Sequence, residues 1–168
     1  MNLPRRSILL GLSSLPLAGR VRAADAPRDF GWEELIPEGV PYSEIVADGE
    51  RDEVNDRWLP IFDANAYRFV EELDGVRIRM PGFLLPMETG PDGVTEFILT
   101  PYAGACVHVP PPPPNQLVFV RTERPWPAEG LFEAIWVTGT LSVNPITTDL
   151  AEIGYALAAE RIEIYEWT

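Results

Sequence analysis

The stretch Val76-Arg77-Ile78-Arg79-Met80 decides the fold class, because its apolar and charged side chains alternate strictly. Successive side chains of a β-strand point to opposite faces, so this pattern predicts a strand with one buried and one exposed face. Pro81-Gly82 interrupts the pattern before Phe83-Leu84-Leu85, which predicts a bulge or a sharp bend. From here to its end, the chain is predicted to be β structure.

Further short strands follow, and the first is introduced by the turn residues Pro91-Asp92-Gly93. The remaining strands are predicted over residues 95–100, 117–120, 134–141 and 156–167. Five or six short strands within about 95 residues are typical of a small closed or nearly closed barrel. The predicted fold class is mostly β: a small OB-like five- or six-stranded barrel, where OB denotes the oligonucleotide/oligosaccharide-binding type.

The chain before the barrel divides into two parts. Residues 51–73 carry a helical pattern that Pro60 splits, and residues 24–50 are rich in proline, glycine and acidic side chains. The apolar residues at helical spacing are Ala66, Phe69, Val70 and Leu73. We therefore expect an extended arm followed by a short helical segment. The predicted organisation is a signal peptide over 1–23, the arm over 24–50 and a single barrel domain over 51–168.

The N-terminus has the parts of an export signal. Arg5-Arg6 precedes an uncharged apolar run over residues 8–18, too short to span a bilayer, and Val21-Arg22-Ala23 offers a cleavage site. The paired arginines resemble a twin-arginine signal, but an ordinary secretory signal can begin in the same way, so both routes stay open. Either route predicts a periplasmic protein, and no later segment is long and apolar enough to cross a membrane.

The charge balance excludes some partners. The chain has 26 acidic and 13 basic side chains, a net charge of −13, and every basic residue is arginine. Nucleic acid and anionic membrane surfaces repel such a protein, so neither is expected as a partner. A single cysteine also rules out an intrachain disulfide.

The one cysteine and the one histidine, Cys106 and His108, are two residues apart. On an extended strand they would share a face, and sulfur with imidazole suits zinc or copper. Two ligands do not complete a metal site, so further ligands must come from elsewhere. The alternatives are that the pair simply packs, or that Cys106 is a nucleophile with His108 as its base. No orienting partner for such catalysis is apparent, so an enzyme is not expected.

A run of five prolines follows directly. Five consecutive prolines form a stiff polyproline II rod, which could present a surface to a partner or brace the neighbouring strands. We favour the brace, with the two amide side chains hydrogen-bonding carbonyls of the prolines. The residues of this motif are Pro110, Pro111, Pro112, Pro113, Pro114, Asn115 and Gln116. Among the tryptophans, Trp136 and Trp167 are predicted to lie in the core.

Three stretches resemble a bacterial family of exported proteins of unknown function, domain-of-unknown-function family 3299. They are residues 81–88, residues 101–116 and Trp136-Val137-Thr138-Gly139-Thr140-Leu141. The likeness runs from about Asp74 to the C-terminus. It implies a periplasmic β domain without established enzymatic activity, and an association with ABC-transporter components that supply zinc or other metals. The family pattern falls on Gly104, Cys106 and His108, and then on residues 110–116.

Taken together, these features predict a periplasmic, non-enzymatic binding or accessory protein. In one hypothesis, Cys106 and His108 help to bind zinc or copper for an ABC-transporter-linked system. In the alternative, the protein is a metal-free interaction module that docks an envelope transporter complex, and the Cys106/His108 pair is structural.

Overall fold

The structure is a computed structural model that describes residues 26–52, 57–105 and 110–166. The predicted signal peptide, residues 1–23, lies outside these ranges. Within them, no helix is long and apolar enough to cross a membrane. The strands are β1 (Arg28–Asp29), β2 (Ile45–Asp52), β3 (Arg57–Phe62), β4 (Arg77–Gly90), β5 (Gly93–Thr100), β6 (Val118–Trp126), β7 (Glu133–Thr147) and β8 (Glu152–Ile164). Short 3₁₀ helices cover Trp32–Leu35, Ala64–Tyr67, Glu71–Leu73 and Pro114–Gln116.

Five strands close into a barrel in the order β4-β5-β6-β8-β7, and β7 pairs back onto β4. β6 and β8 are parallel, whereas the other neighbours in the barrel are antiparallel. β1 adds a short parallel strand beside β4, and β2 with β3 forms a separate two-stranded hairpin. The predicted mostly β, OB-like barrel is therefore confirmed.

The barrel interior is filled by the inward-facing residues of all five strands. β4 contributes Ile78, Met80 and Leu84, each fully buried, as the alternation in the sequence predicts. The other strands contribute Phe97, Leu99, Val118, Val120, Ile135, Val137, Leu141, Tyr155 and Leu157. Burial of each large apolar side chain stabilises the fold by about 1.5–3 kcal/mol, so this cluster is the main source of stability.

A bulge at Pro81-Gly82, one of the two predicted forms of interruption, is wrong. β4 pairs with β7 through both residues without a register shift, Pro81 opposite Trp136 and Gly82 opposite Ile135. Glycine is needed at 82 because a Cβ would lie 2.6 Å from Leu99 Cγ and 2.9 Å from Trp32 Cζ2. The two residues thus allow Trp32 to pack closely against the barrel instead of breaking the strand.

The segment before the barrel differs from the sequence prediction in detail. Residues 64–73 form two short 3₁₀ helices, and residues 57–62, which were predicted to be helical, form strand β3. Pro60 is tolerated there because β3 pairs on one side only, with β2. The β2–β3 hairpin also joins the predicted arm to the predicted domain, since β2 spans residue 50.

Tyr155 links these early segments to the barrel. Its side chain is fully buried, its hydroxyl donates to Leu35 O at 2.7 Å, and it accepts from Val70 N at 2.9 Å. Burial raises the pKa of Tyr155 to about 12, so the phenol stays protonated and can make both bonds. The ring also packs edge-on against Phe69, with 5.6 Å between centroids.

Trp136 is not in the core, contrary to the prediction. It is half-buried on the outer face of β7, where it stacks on Tyr165 with ring centroids 5.3 Å apart. The Arg79 guanidinium lies 3.9 Å from its ring centroid. Successive side chains of a barrel strand point alternately inward and outward, and the neighbours Ile135 and Val137 point inward. Trp167 lies outside the described residues.

Candidate functional site

Cys106 and His108 lie outside the described residues, so the geometry of the predicted metal pair is not part of the structure. The flanking residues are placed. Gly104 has φ +85°, a conformation that favours glycine. Ala105 is buried in an apolar cluster, and Pro110 O accepts a hydrogen bond from the Tyr102 hydroxyl at 2.9 Å. Of the described residues beside the Cys-Val-His segment, Ala105 packs into the core and Pro110 bonds to Tyr102 of the same connection.

The proline run lies mostly inside the molecule. Pro110 is exposed, but residues 111–114 are buried, and so are Asn115 and Gln116. Such burial leaves little proline surface for a partner's aromatic groove, and it supports the interpretation of the run as a brace.

The amides after the prolines hold other elements, not the prolines' carbonyls as predicted. Asn115 Nδ2 donates to Asn65 O at 2.9 Å and to Arg68 O at 3.2 Å. Gln116 Nε2 donates to Trp32 O and to Asn115 O, both at 2.9 Å. The backbone turn Pro114–Gln116 closes on the prolines through Gln116 N, which donates to Pro113 O. Asn115 and Gln116 therefore tie the brace to two 3₁₀ helices that precede the barrel.

A groove of about 570 Å³ lies between the β2–β3 hairpin, the proline run and the turn that joins β7 to β8. This volume is within the range of small-ligand sites, roughly 300–1,000 Å³. The residues that line it are Gly49, Glu50, Leu59, Pro60, Ile61, Phe62, Tyr67, Pro111, Pro112, Pro114, Thr147, Ala151 and Glu152. The groove is thus built by three regions that are far apart in the chain.

The Ala64–Tyr67 helix connects the walls of the groove. Asp63 caps this helix by accepting from Asn65 N at 2.8 Å, and it also accepts from Ser43 Oγ at 3.0 Å and Glu44 N at 3.2 Å. The cap therefore fixes the hairpin base to the helix, while Asn115 fixes the proline run to the same helix. Partial burial would raise the pKa of Asp63, but these hydrogen bonds outweigh it and lower the pKa.

The groove is apolar with an acidic rim. Among its described lining residues, Glu50 and Glu152 are the only charged ones. The Tyr67 hydroxyl donates to Glu152 Oε2 at 2.7 Å. This bond, assisted by burial and by the carboxylate charge, raises the pKa of Tyr67 to about 12. Tyr67 is therefore a neutral donor at physiological pH, and Glu152 is held in place at the rim.

Backbone geometry shapes the hairpin wall. Gly49 has φ +62°, and a Cβ there would collide with the Leu59 carbonyl oxygen, so only glycine fits. The β2–β3 register shifts on each side of Ala47, which adds local twist. The backbones approach closely at Gly49, and the next residue, Glu50, pairs with Leu59, so that both line the groove.

The chemistry of the other clefts is different. A cleft of about 510 Å³ is lined by Arg121, Thr122, Glu123, Arg124, Thr140, Ala158, Ala159 and Glu160. Its lining includes both signs of charge, and two of its four charged side chains form ion pairs: Arg121 contacts Glu96 at 2.7 Å, and Glu160 contacts Arg77 at 2.7 Å. In the described part of the chain, no group of three or more His, Cys, Asp or Glu side chains is placed to hold a metal ion.

The face that OB-type barrels commonly use for ligands is covered. Leu85, Ile98 and Phe119 form a row of cross-strand neighbours on the outside of β4, β5 and β6. Leu85 and Ile98 are buried there against Ala105 and Leu117, which belong to the β5–β6 connection. OB folds bind oligonucleotides through strands 2 and 3, equivalent to β5 and β6 here. Buried apolar packing occupies that face, so the accessible groove lies elsewhere.

Comparison with known proteins agrees with the fold and the motif. The family model described as "Protein of unknown function (DUF3299)" matches residues 32–164. The chain belongs to the DUF3299 family. The match begins well before Asp74, so the family pattern also includes the Trp32–Leu35 helix and the hairpin.

A solved structure shares this fold. The crystal structure of a DUF3299 family protein, PA4066 from Pseudomonas aeruginosa PAO1, superposes with a TM-score of 0.68 at 33% sequence identity. The match covers 85% of this chain and 99% of that one. No curated protein matches the chain significantly.

Sequence reasoning located the proline wall of the groove but missed the hairpin and the acidic rim. Residues 57–62 read Arg-Trp-Leu-Pro-Ile-Phe, and their aromatic and β-branched content was a signal for a strand. Pro60 favoured the interpretation of residues 51–73 as a split helix instead. Glu50, Tyr67 and Glu152 carried no local signal, because nothing in their immediate sequence shows that they meet.

Proposed function

We propose that this DUF3299 protein is an exported, non-catalytic binding or accessory protein, and that it engages its ligand or partner in the groove between the hairpin and the proline run. The observation that carries the proposal is the way the groove is built. Its walls are joined by the Asp63 cap and the Asn115 amide, so its shape exists before a ligand arrives. Preformed concave apolar sites with a few polar groups are typical of ligand binding.

The polar groups of the groove suit binding better than catalysis. Tyr67 and Glu152 face the groove as a hydrogen-bonded pair in which the phenol keeps its proton. The Tyr67 phenol can orient a ligand by hydrogen bonding, whereas a phenol that acts as a general base would need a pKa nearer to the working pH. Periplasmic location and docking to an envelope transporter complex belong to the proposal, and the paired N-terminal arginines before an apolar run support the first of these.

Fragment screening by NMR on the mature protein tests this proposal. Chemical-shift changes should cluster on Ile61, Tyr67 and Ala151, and a Thr147→Trp variant, which fills the groove from an exposed position, should abolish them. Thr89→Trp is the matched control, since it adds the same bulk at the exposed end of β4. Shift changes that cluster instead in the cleft lined by Arg121 and Arg124 would contradict the proposal.

Metal binding at Cys106 and His108 is a second proposal. It is supported by the co-location of the one cysteine and one histidine in the chain, within the family motif. Titration of the reduced mature protein with zinc and with copper(I), followed by calorimetry, tests it. Binding should be lost in both Cys106→Ser and His108→Ala, whereas Ser43→Ala should have no effect. Absence of binding in the unsubstituted protein would remove this proposal and leave the interaction module.

A further inference from the structure

We propose that the occupant of the groove is an extended segment of a partner polypeptide that inserts a basic side chain, arginine or lysine, between Glu50 and Glu152. This inference rests on the proposed function, because it names the ligand class of the same groove.

Charge complementarity selects a cation. Glu50 and Glu152 are the charged side chains of the groove, and no arginine is among its described lining residues. The whole chain carries a net charge of −13 and no lysine, so the long-range field has the same sign as the local one. A cationic group is therefore attracted from a distance and finds carboxylates at the rim.

The walls suit the stem and the head of a long basic side chain. Leu59 and Phe62, both partly exposed, provide apolar surface for the methylene groups, which arginine and lysine bury readily. Tyr67 presents an aromatic ring beside Glu152, with its hydroxyl already bonded to that carboxylate. A guanidinium over such a ring gains a cation–π interaction in addition to its ion pair.

The apolar surface extends beyond the groove, which favours a polypeptide over a small organic cation. Ile61 and Tyr67 line the groove and are still about half exposed. Next to them on the hairpin, Ile45, which pairs with Phe62, is 39% exposed. A small cation would leave this surface uncovered, whereas a chain crossing the groove would cover it. Exposed apolar side chains grouped beside a groove are typical of protein interaction sites.

The strand edges of the hairpin are poorly suited to pair with an added strand, so the partner is recognised through side chains. β2 has register shifts on each side of Ala47, and β3 contains Pro60, which lacks a backbone N–H. Bulges and prolines prevent a strand edge from offering a continuous ladder to an added strand. The partner segment is therefore held by its inserted side chain and its apolar contacts, and not by strand addition.

An array of heptapeptides tests this inference on the mature protein. Each peptide has arginine, lysine, citrulline or glutamate at its centre between leucine and valine residues, and affinities are measured by fluorescence polarisation. Arginine peptides should bind at least tenfold more tightly than the citrulline peptides, which have the same shape without the charge. The preference should shrink between 50 and 500 mM NaCl, because salt screens the rim carboxylates.

Variants assign the effect to the rim. Glu152→Gln keeps the hydrogen-bond acceptor for Tyr67 and removes one charge, and Glu50→Gln removes the other charge. Each variant should weaken the binding of arginine peptides several-fold and leave the affinity for citrulline peptides unchanged. Glu129→Gln, an exposed position in the β6–β7 connection, makes the same charge change as a control and should have no effect.

The outcomes separate the two proposals. If arginine and citrulline peptides bind equally and Thr147→Trp blocks both, the inference of an inserted basic side chain is wrong, but the groove remains the binding site. If n-butylguanidinium alone binds as tightly as the peptides, the inference that the ligand is a polypeptide is wrong. If no peptide binds, the inference fails, whereas the proposed function is decided separately by the fragment screen.

Discussion

Asn115→Asp replaces the buried Nδ2 donor with a carboxylate oxygen at nearly constant volume. In the native protein, Nδ2 donates to Asn65 O at 2.9 Å and Arg68 O at 3.2 Å, and the side chain is 1% exposed. The amide orientation is unambiguous, because the amide oxygen could not face two carbonyls. Asn115 Oδ1 has no hydrogen-bond partner among the described residues, so no donor there compensates for the change.

The magnitude follows from these contacts. Two hydrogen bonds contribute about 1 kcal/mol each, and an ionised carboxylate facing two carbonyl oxygens in a buried site adds a further penalty of about 1–3 kcal/mol. We therefore expect a loss of about 3–5 kcal/mol at neutral pH, which lowers the melting temperature by about 10 °C.

The loss of stability in Asn115→Asp should increase as the pH rises. Burial and the carbonyl dipoles raise the pKa of the new carboxyl in the folded state above its unfolded value of about 3.9. Below that unfolded value both states are protonated, the acid donates to one carbonyl, and the loss is about 1 kcal/mol. As the pH rises, the unfolded state ionises first, so the loss grows until the pH exceeds the raised folded pKa.

Urea unfolding between pH 3.5 and 8, followed by circular dichroism, measures this loss directly. Asn144→Asp is the matched control, since it makes the same charge change at an exposed position of β7. The reasoning is refuted if the two variants unfold at the same urea concentration at pH 7, or if the Asn115→Asp loss is larger at pH 3.5 than at pH 7.

Three further changes probe other parts of the structure. Tyr155→Phe should cost about 1–3 kcal/mol in urea unfolding, because Leu35 O and Val70 N lose their partner, and an equal cost for the exposed Tyr67→Phe would contradict this. Gly82→Ala should cost about 1–3 kcal/mol through overpacking against buried Leu99, whereas Gly130→Ala, with open space around its Cβ position, should be neutral in thermal unfolding. The pKa of Asp63 is lowered in the folded state, so its contribution is present above the ordinary value of 3.8 and is lost as the pH falls through the folded pKa. The stability difference between the native protein and Asp63→Asn should therefore shrink in acid, and a difference that grows in acid would disprove the capping role.

The strands of the barrel were predictable because their signal is local. Val76-Arg77-Ile78-Arg79-Met80 alternates, and its apolar members Ile78 and Met80 became fully buried core residues. The same rule fails at Trp136, because the residues on either side of it are apolar as well. Alternation then does not show which set of side chains faces the barrel interior. The closure of β7 onto β4 sets that choice, and it placed Ile135 and Val137 inside.

The short helices and the hairpin were less predictable. Residues 64–73 have the spacing of an α-helix, but each half is only one turn long and takes 3₁₀ geometry. Isolated turns of this length are not stable by themselves, so tertiary bonds decide their form. Here the deciding tertiary bonds are those of the Asn115 amide and the Tyr155 hydroxyl, which come from two distant parts of the chain and add to the local Asp63 cap.

The barrel class, the acidic composition and the family motif could be predicted from the sequence, because alternation, charge count and a rare residue string can each be read within a short window. The burial of the motif's amides and the groove itself depend on tertiary contacts. The lining of the groove joins residues 49–67, 111–114 and 147–152, and the acidic pair Glu50 and Glu152 is separated by most of the domain. Such a site arises only when hydrogen bonds and barrel closure bring these segments together, and no local pattern records contacts made across that distance.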